Sequence, residues 1–471
     1  MKKFGYKAPA VRRVGGNPLR ELDAVRSHEE VFEMAGKIRL MIEKILAERS
    51  KGNETLARVI KTKLILKGIN PAKYSDQSDD DPEVIRKLKK MTKDVSHANK
   101  KPFMNIRIAS SEKGTVDDAV TELMATFGSS AMKMMIYFAS AKFDPEEISA
   151  GMQAAFPGAT VFGCSTAGEI VSGRMLKGSV VAMAFDEESM LNVKVEVVEN
   201  LGRKIDVNET FRSFERHYGE AADEMKPSKY LGIILVDGMC AVEEKLMDVI
   251  GDKTNVLFVG GSAADDLKFR SAHVFANGRS YTNAAVLALL KPATPFDLVK
   301  TQSVREMGPE LVVTRANEDR REIVEFNHKP AAIAYAEALG VSVNELAACF
   351  PSHPLGLVID GEPYIRSPSQ ILGDSVFFQC CSVEGMPLSL LELTNLIDDT
   401  KETLARSGEK LGGISGVIVF NCAHRALELE YKKLSGKYGE LFADVPTIGF
   451  NSYGEQFIGH MNQTATMIVF R

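Results

Sequence analysis

Three times along the chain, a short apolar run is followed by a helix-length segment, a second apolar run carrying glycine, a polar turn and a third apolar run. The first copy opens with Met134-Met135-Ile136-Tyr137-Phe138, passes through a helical stretch from about Asp144 to Phe156, reaches Val161-Phe162-Gly163, and closes with Ser179–Phe185. The second runs from Gly232-Ile233-Ile234-Leu235-Val236 through Ala241–Ile250 to Val256-Leu257-Phe258-Val259-Gly260, and closes with Ala284–Leu290. The third runs from Val417-Ile418-Val419-Phe420 through Arg425–Ser435 to Thr447-Ile448-Gly449, and closes with Thr464–Phe470. The first run ends 25, 24 and 29 residues before the glycine, and the third run ends 22, 30 and 21 residues after it. A repeat of this kind constrains the fold strongly, because every copy has to bury the same surfaces. Strand–helix–strand at this length is a right-handed crossover between parallel strands, which no tight turn can join. The third run is expected to return antiparallel. The fold class is therefore α/β, with repeated βαβ-β units forming mixed sheets flanked by helices.

Outside the copies the pattern changes. Leu355–Val358, Glu362–Arg366, Val376–Gln379 and Met386–Leu391, with turns at Asp360-Gly361, Gly373-Asp374 and Glu384-Gly385, read as a meander of hairpins. Pro330–Leu339 and Ser342–Cys349 ahead of it read as helices. Residues 1–101 form a helical N-terminal extension. Ser27-His28-Glu29-Glu30 has the form of a capping box before a run to about Ser50, and further helical runs span Glu54–Lys67 and about Pro82–Asp94. The stripe Ile38, Met41, Ile42 and Ile45 requires apolar cover, expected in part from the α/β body. The expected domains are 1–101, 102–295 and 296–471.

Composition narrows the class of function. With 45% hydrophobic and 26% charged residues in 471, the chain buries a core without needing disulfide or metal. No apolar run has the length of a membrane span, and the charged N-terminus lacks the apolar stretch of a signal peptide. The six cysteines form no Cys-x-x-Cys pair, which points to a cytoplasmic protein with reduced thiols. The net charge of −5 conceals an excess of ten positive charges in residues 1–101, where 24 Lys and Arg stand against 14 Asp and Glu. Those charges are interleaved with apolar residues at helical spacing and no aromatic stacking platform accompanies them, so no nucleic-acid partner is expected.

The chemistry-bearing residues cluster in the turns after each second strand. Gly163-Cys164-Ser165-Thr166-Ala167-Gly168-Glu169 and Gly449-Phe450-Asn451-Ser452-Tyr453-Gly454-Glu455 share the order Gly-x-polar-hydroxyl-x-Gly-Glu, 286 residues apart. The second copy has the looser Gly260-Gly261-Ser262-Ala263-Ala264-Asp265-Asp266. Carboxyl ends of parallel strands form the usual ligand crevice of an α/β sheet, and these turns belong there. Glu169 and Glu455 suit a ligand amine, or serve as local caps. Arg366 and Arg425 suit a carboxylate held bidentately, with a solvated surface role as the alternative for Arg366.

These turns resemble those of the FIST family. Val259–Asp266 followed by Asn277-Gly278 is similar to its N-terminal domain, as is the 163–169 turn. Pro354-Leu355-Gly356, the hairpin Asp360–Arg366, Phe420-Asn421-Cys422-Ala423-His424-Arg425, the 449–455 turn and Asn462-Gln463-Thr464 are similar to its C-terminal domain. The resemblance spans roughly 104–471. It implies a non-catalytic bacterial signal-transduction module that senses a small ligand, proposed for the family to be amino-acid-like, and passes the signal to a partner protein. No kinase, cyclase or chemotaxis output pattern is visible.

The ligand-binding residues expected on these grounds are Cys164, Ser165, Thr166, Gly168, Glu169, Ser262, Asp265, Arg366, Asn421, Arg425, Asn451, Ser452, Tyr453, Gly454 and Glu455. No cofactor and no metal are expected, since adjacent Cys422 and His424 make a weak metal pair. Two alternatives stand beside this reading. One is a cysteine-dependent enzyme using Cys164 or Cys422 with His424 (or His460) as base. The other is a scaffold whose basic helices dock a partner. For Cys164 a packing role is favoured, because Phe450 occupies the matching place.

Overall fold

The computed structural model describes residues 36–50, 61, 64, 69–75, 78–88, 104–129 and 131–471. The chain divides into two compact units, Met1–Pro102 and Phe103–Arg471. In the first, α1 (Lys37–Ser50) and the helical residues 82–88 are described. Cover for the Ile38, Ile42 and Ile45 stripe comes from Leu64, Ile69, Val84 and Leu88 of the same unit. The capping box at 27–30 and most of the expected 54–67 helix lie outside the described residues.

In the second unit each repeat copy is longer than its sequence signature, because an edge strand and a helix precede it. Copy one is β1 (Ile106–Ser111), α2 (Val116–Phe127), β2 (Met134–Ser140), α3 (Pro145–Ala155), β3 (Thr160–Thr166), a hairpin of β4 (Glu169–Val171) and β5 (Arg174–Leu176), and β6 (Val180–Phe185). Copy two is β7 (Met190–Glu199), α4 (Asn208–Tyr218), β8 (Leu231–Asp237), α5 (Glu243–Gly251), β9 (Phe258–Ala263), β10 (Val274–Ala276), β11 (Arg279–Tyr281) and β12 (Ala284–Pro292).

Copy three opens with β13 (Phe296–Thr301) and is then interrupted by the meander. That insertion comprises β14 (Val304–Asn317), β15 (Glu322–Phe326), β16 (Lys329–Pro330), α6 (Ala331–Leu339), α7 (Val343–Cys349), β17 (Leu355–Ile359), β18 (Glu362–Arg366), β19 (Pro368–Leu372), β20 (Ser375–Phe378) and β21 (Pro387–Leu393). Its strands make one eight-stranded antiparallel sheet. Copy three resumes with α8 (Leu396–Leu411), β22 (Gly416–Cys422), α9 (Ala423–Tyr431), α10 (Ser435–Glu440), β23 (Thr447–Ser452), β24 (Glu455–Phe457), β25 (Gly459–Met461) and β26 (Ala465–Phe470).

The three copies build three six-stranded sheets of one topology, and they exchange hairpins in a ring. Their orders are β1-β6-β2-β3-β10-β11, β7-β12-β8-β9-β24-β25 and β13-β26-β22-β23-β4-β5. Copy one lends its hairpin to the sheet of copy three, copy three to copy two, and copy two to copy one. In each sheet the crossover pair is parallel and the third repeat strand is antiparallel.

Two-sided burial explains the unbroken apolar runs. One face of every sheet lies under its own helices, as Tyr137, Ile234 and Val419 do. The other face meets the two neighbouring sheets in a central core that holds Ile136, Phe138, Ile233, Leu235, Ile418 and Phe420. The rings of Phe138, Phe420 and Phe450 meet there at centroid distances of 4.6–6.1 Å. The glycine of each second strand is a steric requirement. A Cβ at Gly163, Gly260 or Gly449 would lie 1.9, 1.7 or 2.4 Å from the carbonyl oxygen of Tyr137, Ile234 or Val419 on the parallel neighbour.

Candidate functional site

The three turns interlock at the carboxyl ends of the parallel strands. Ala167 N donates to Asn451 O (3.0 Å) and Asn451 N to Gly168 O (2.8 Å), which joins turns one and three. Ser262 N donates to Gly454 O (2.8 Å) and Tyr453 N to Ser262 O (3.1 Å), joining two and three. Ser165 N donates to His273 O (2.9 Å) and Ala264 N to Ser165 O (3.0 Å), joining one and two. The 163–169 and 449–455 turns therefore lie side by side, as the hairpin exchange requires.

Glu169 and Glu455 occupy matching, wholly buried positions in this ring. Glu169 accepts from Thr166 Oγ1, Ser179 N (3.0 Å) and Ser179 Oγ (2.6 Å). Glu455 accepts from Ser452 Oγ (2.6 Å), Thr464 N (3.3 Å) and Thr464 Oγ1 (2.7 Å). Burial pushes both carboxyls up to about 7, against the lowering effect of those hydroxyl bonds. Each ties the start of the third repeat strand to the lent hairpin.

Arg425, on the first turn of α9, is 2% exposed and spends its guanidinium on neighbours. Nε donates to Asn421 Oδ1 (3.2 Å), Nη2 to Thr400 Oγ1 (3.1 Å) and Nη1 to Ser303 Oγ (3.4 Å). Asn421 also bonds Asn451 across the sheet (2.9 Å). Arg366 lies apart from Arg425's partners, donating to His460 O at 2.8 Å. Cys164 faces the apolar central core, where burial pushes its thiol well up. Cys422 is raised by burial and by Glu455, and burial lowers His424.

Ser165 and Asp265 border a small cavity of about 140 Å³, with Lys268, Arg270 and His273 on its wall. The Asp265 carboxylate is already occupied by backbone N–H groups of Phe269 (2.8 Å), Arg270 (2.6 Å) and Ser271 (3.0 Å) and by the Tyr453 hydroxyl. Ser262 donates to Glu243 (3.0 Å).

A larger cavity of about 530 Å³ opens where α9 faces the inserted meander, at the carboxyl end of β22. Leu427 and Tyr431 of α9, together with Pro351 and Leu393 of the insertion, give it apolar walls. Glu392, Glu428, Lys432, His353 and His424 supply charge and ring nitrogens, and Gln463 closes one side. Glu428 pairs with Lys432 (2.7 Å), Glu392 with Arg305 (2.5 Å), and His353 Nδ1 with Ser352 Oγ (2.8 Å). Sequence reasoning singled out the stretches carrying His424 and Gln463 without seeing that they converge on this cleft. The signal it lacked is the return of residues 351–353 and 392–393 from within the insertion.

The second unit is thus a three-sheet α/β body with a meander over one crossover and a cleft between them. The FIST N domain matches residues 133–329 and the FIST C domain residues 331–458, and the chain belongs to the FIST family. FIST domains are sensory, ligand-binding modules of signal transduction. An uncharacterized protein of Methanocaldococcus jannaschii is 23% identical over 363 residues, which cover 68% of this chain and 69% of that relative. Among the described residues, no helix is long and apolar enough to cross a membrane.

Proposed function

We propose that this chain senses a small amino-acid-like molecule, bound in the cleft between α9 and the inserted meander, without transforming it. The observation that carries this reading is the union of apolar walls with both signs of charge in a 530 Å³ cavity at the end of a parallel strand. An amino acid needs an anion for its amine, a cation for its carboxylate and apolar cover for its side chain. Glu392 and Glu428 suit the first, Lys432 the second, Leu427 and Tyr431 the third. In this reading Glu169, Glu455 and Arg425 hold the frame. Arg425 fixes α9 to α8 and β22, which sets the position of Leu427 and Glu428.

Binding would close the meander onto α9 and change the surface shown to a signalling partner. The test is a thermal-shift and calorimetric screen of amino acids and small carboxylates on the full chain. Leu427→Arg, which fills the cleft from an exposed position, should abolish ligand stabilisation, and Lys432→Glu should weaken it about tenfold or more. Stabilisation that persists in Leu427→Arg but vanishes in Arg270→Glu would place the ligand in the smaller cavity and overturn the assignment.

A further inference from the structure

Outside the cleft, three metal-ligating groups converge from three separate parts of the fold. Glu244 lies in the first turn of α5, Cys380 follows β20 of the insertion, and His460 lies on the lent strand β25. Their ligand atoms lie within 4.8 Å of one another, and the thiol and imidazole are buried. One carboxylate, one thiol and one imidazole at this spacing are three donors of the kind that a tetrahedral, thiophilic divalent ion takes, with water as the fourth.

The surroundings hold each donor in place. Arg321 Nη2 (2.7 Å) and Cys381 N (2.7 Å) fix the Glu244 carboxylate, and Glu243 takes the same guanidinium at 2.8 Å. The wholly buried Gln456 amide sits 3.2 Å from His460 Nδ1. Its amide nitrogen faces both that ring nitrogen and Ser262 Oγ (3.0 Å), and its oxygen has no partner; turned over, the amide oxygen accepts Nδ1–H and leaves the other ring nitrogen for a metal. Gly454 packs against the ring so closely that a Cβ would lie 2.1 Å from Cε1, so the imidazole has a fixed seat. Asn462 Oδ1 lies 2.7 Å from Cys380 Sγ.

We propose that Glu244, Cys380 and His460 bind a zinc-class divalent cation. On binding, Cys380 loses its thiol proton to solvent and ligates as thiolate. The ion joins α5 of copy two, the lent hairpin of copy three and the insertion that walls the cleft, so its occupancy sets how firmly the meander is held.

Titration of the full-length protein with cobalt(II) tests this directly. The expected result is one equivalent bound with a sulfur-to-cobalt charge-transfer band, bleached by zinc. Cys380→Ser should remove the band while Cys349→Ser keeps it. Zinc should raise the melting temperature of the wild-type chain, and Glu244→Gln should weaken zinc binding about tenfold or more. The second measurement stands even if Cys380→Ser does not fold. Absence of a thiolate band in the wild-type protein, a band that survives Cys380→Ser, or a zinc-induced shift unchanged by Glu244→Gln would each overturn the site.

Discussion

Copies one and three close their turns with a buried glutamate, whereas copy two places Val274 at the same point of the lent strand. The carboxylate does not disappear from copy two. Asp237, at the end of β8, accepts from Asn283 N (2.6 Å) and Met239 N (2.9 Å), and so ties the approach to β12 from another strand. The turn of copy two also lengthens into residues 264–273, where Asp266, Leu267 and Phe269 are held at positive φ. The repeated frame thus needs an anchored third strand, and it tolerates different chemistry for the anchor. What the frame does not tolerate is a change at the crossover glycine.

The largest expected effect tests that last point. Gly260→Ala and Gly163→Ala place a methyl group inside van der Waals distance of a backbone carbonyl in a sheet packed on both faces. Each should cost about 3 kcal/mol or more. Gly449→Ala should cost less, because its carbonyl lies further off. Urea midpoints of the three variants give the order, and equal midpoints would remove the steric argument.

Next come the anchors. Glu169→Ala or Glu455→Ala leaves a buried N–H and two hydroxyls without their acceptor, a loss of about 3 kcal/mol. Val274→Ala should cost about 1 kcal/mol, since it removes only methyl groups from the core. If the valine variant proves as damaging as the glutamate ones, the anchors are not what distinguishes the copies.

How much of this was legible in the residues follows from which interactions are local. The runs at 134–138, 232–236 and 417–420 are readable because strands buried on both faces must be apolar at every position. The glycine in each second run was equally visible, and its steric cause follows from parallel pairing. The hairpin exchange was not visible. Glu169–Val171 is three residues long, and its pairing with 448–450 depends on contacts far apart in sequence. The edge strand Met190–Glu199 alternates Val193, Val195 and Val197 toward the central core, a signal present in the sequence but weaker than the repeat. A glutamate flanked by hydroxyls reads alike as a ligand contact or a cap, and only burial separates the two. Cys380 and His460 lie 80 residues apart with no motif joining them.

A smaller effect separates the copies by pH. Burial raises the Glu169 and Glu455 carboxyls from 4.5 to about 7, so the folded state holds their protons more tightly than the unfolded chain does. Their stabilising contribution is fully present below about pH 4.5 and is lost as pH rises through about 7. Each accounts for about 2 kcal/mol between roughly pH 5 and roughly pH 8, and copy two, with Val274, adds nothing at that position. Melting temperatures of wild type and Glu169→Gln across that range check this. The two curves should lie close together at low pH, where the carboxyl is neutral like the amide, and separate as the wild type loses stability with pH rising through about 7; parallel curves would show that the carboxyl does not titrate there.

The smallest expected effect concerns the long turn of copy two, which leans on copy three at one place. Tyr453 donates its hydroxyl to Asp265 and stacks on Phe269, with ring centroids 4.6 Å apart and planes 14° from parallel. Burial and the Asp265 carboxylate both raise the phenol, so it remains a donor throughout the physiological range. Ala167 and Ala264 stand at the matching positions of the other turns, so neither can make this contact. Tyr453→Phe keeps the stack and removes only the hydroxyl, while the three backbone donors of Asp265 remain. The cost should be about 1 kcal/mol, confined to the 264–273 segment. Hydrogen exchange at Phe269, Arg270 and Ser271 is the sensitive readout. Faster exchange there, with the strands of copy one unchanged, is the expected outcome. Unchanged exchange at those three amides would mean that the Tyr453 hydroxyl adds nothing to the hold that the backbone donors of Asp265 and the ring stack already give.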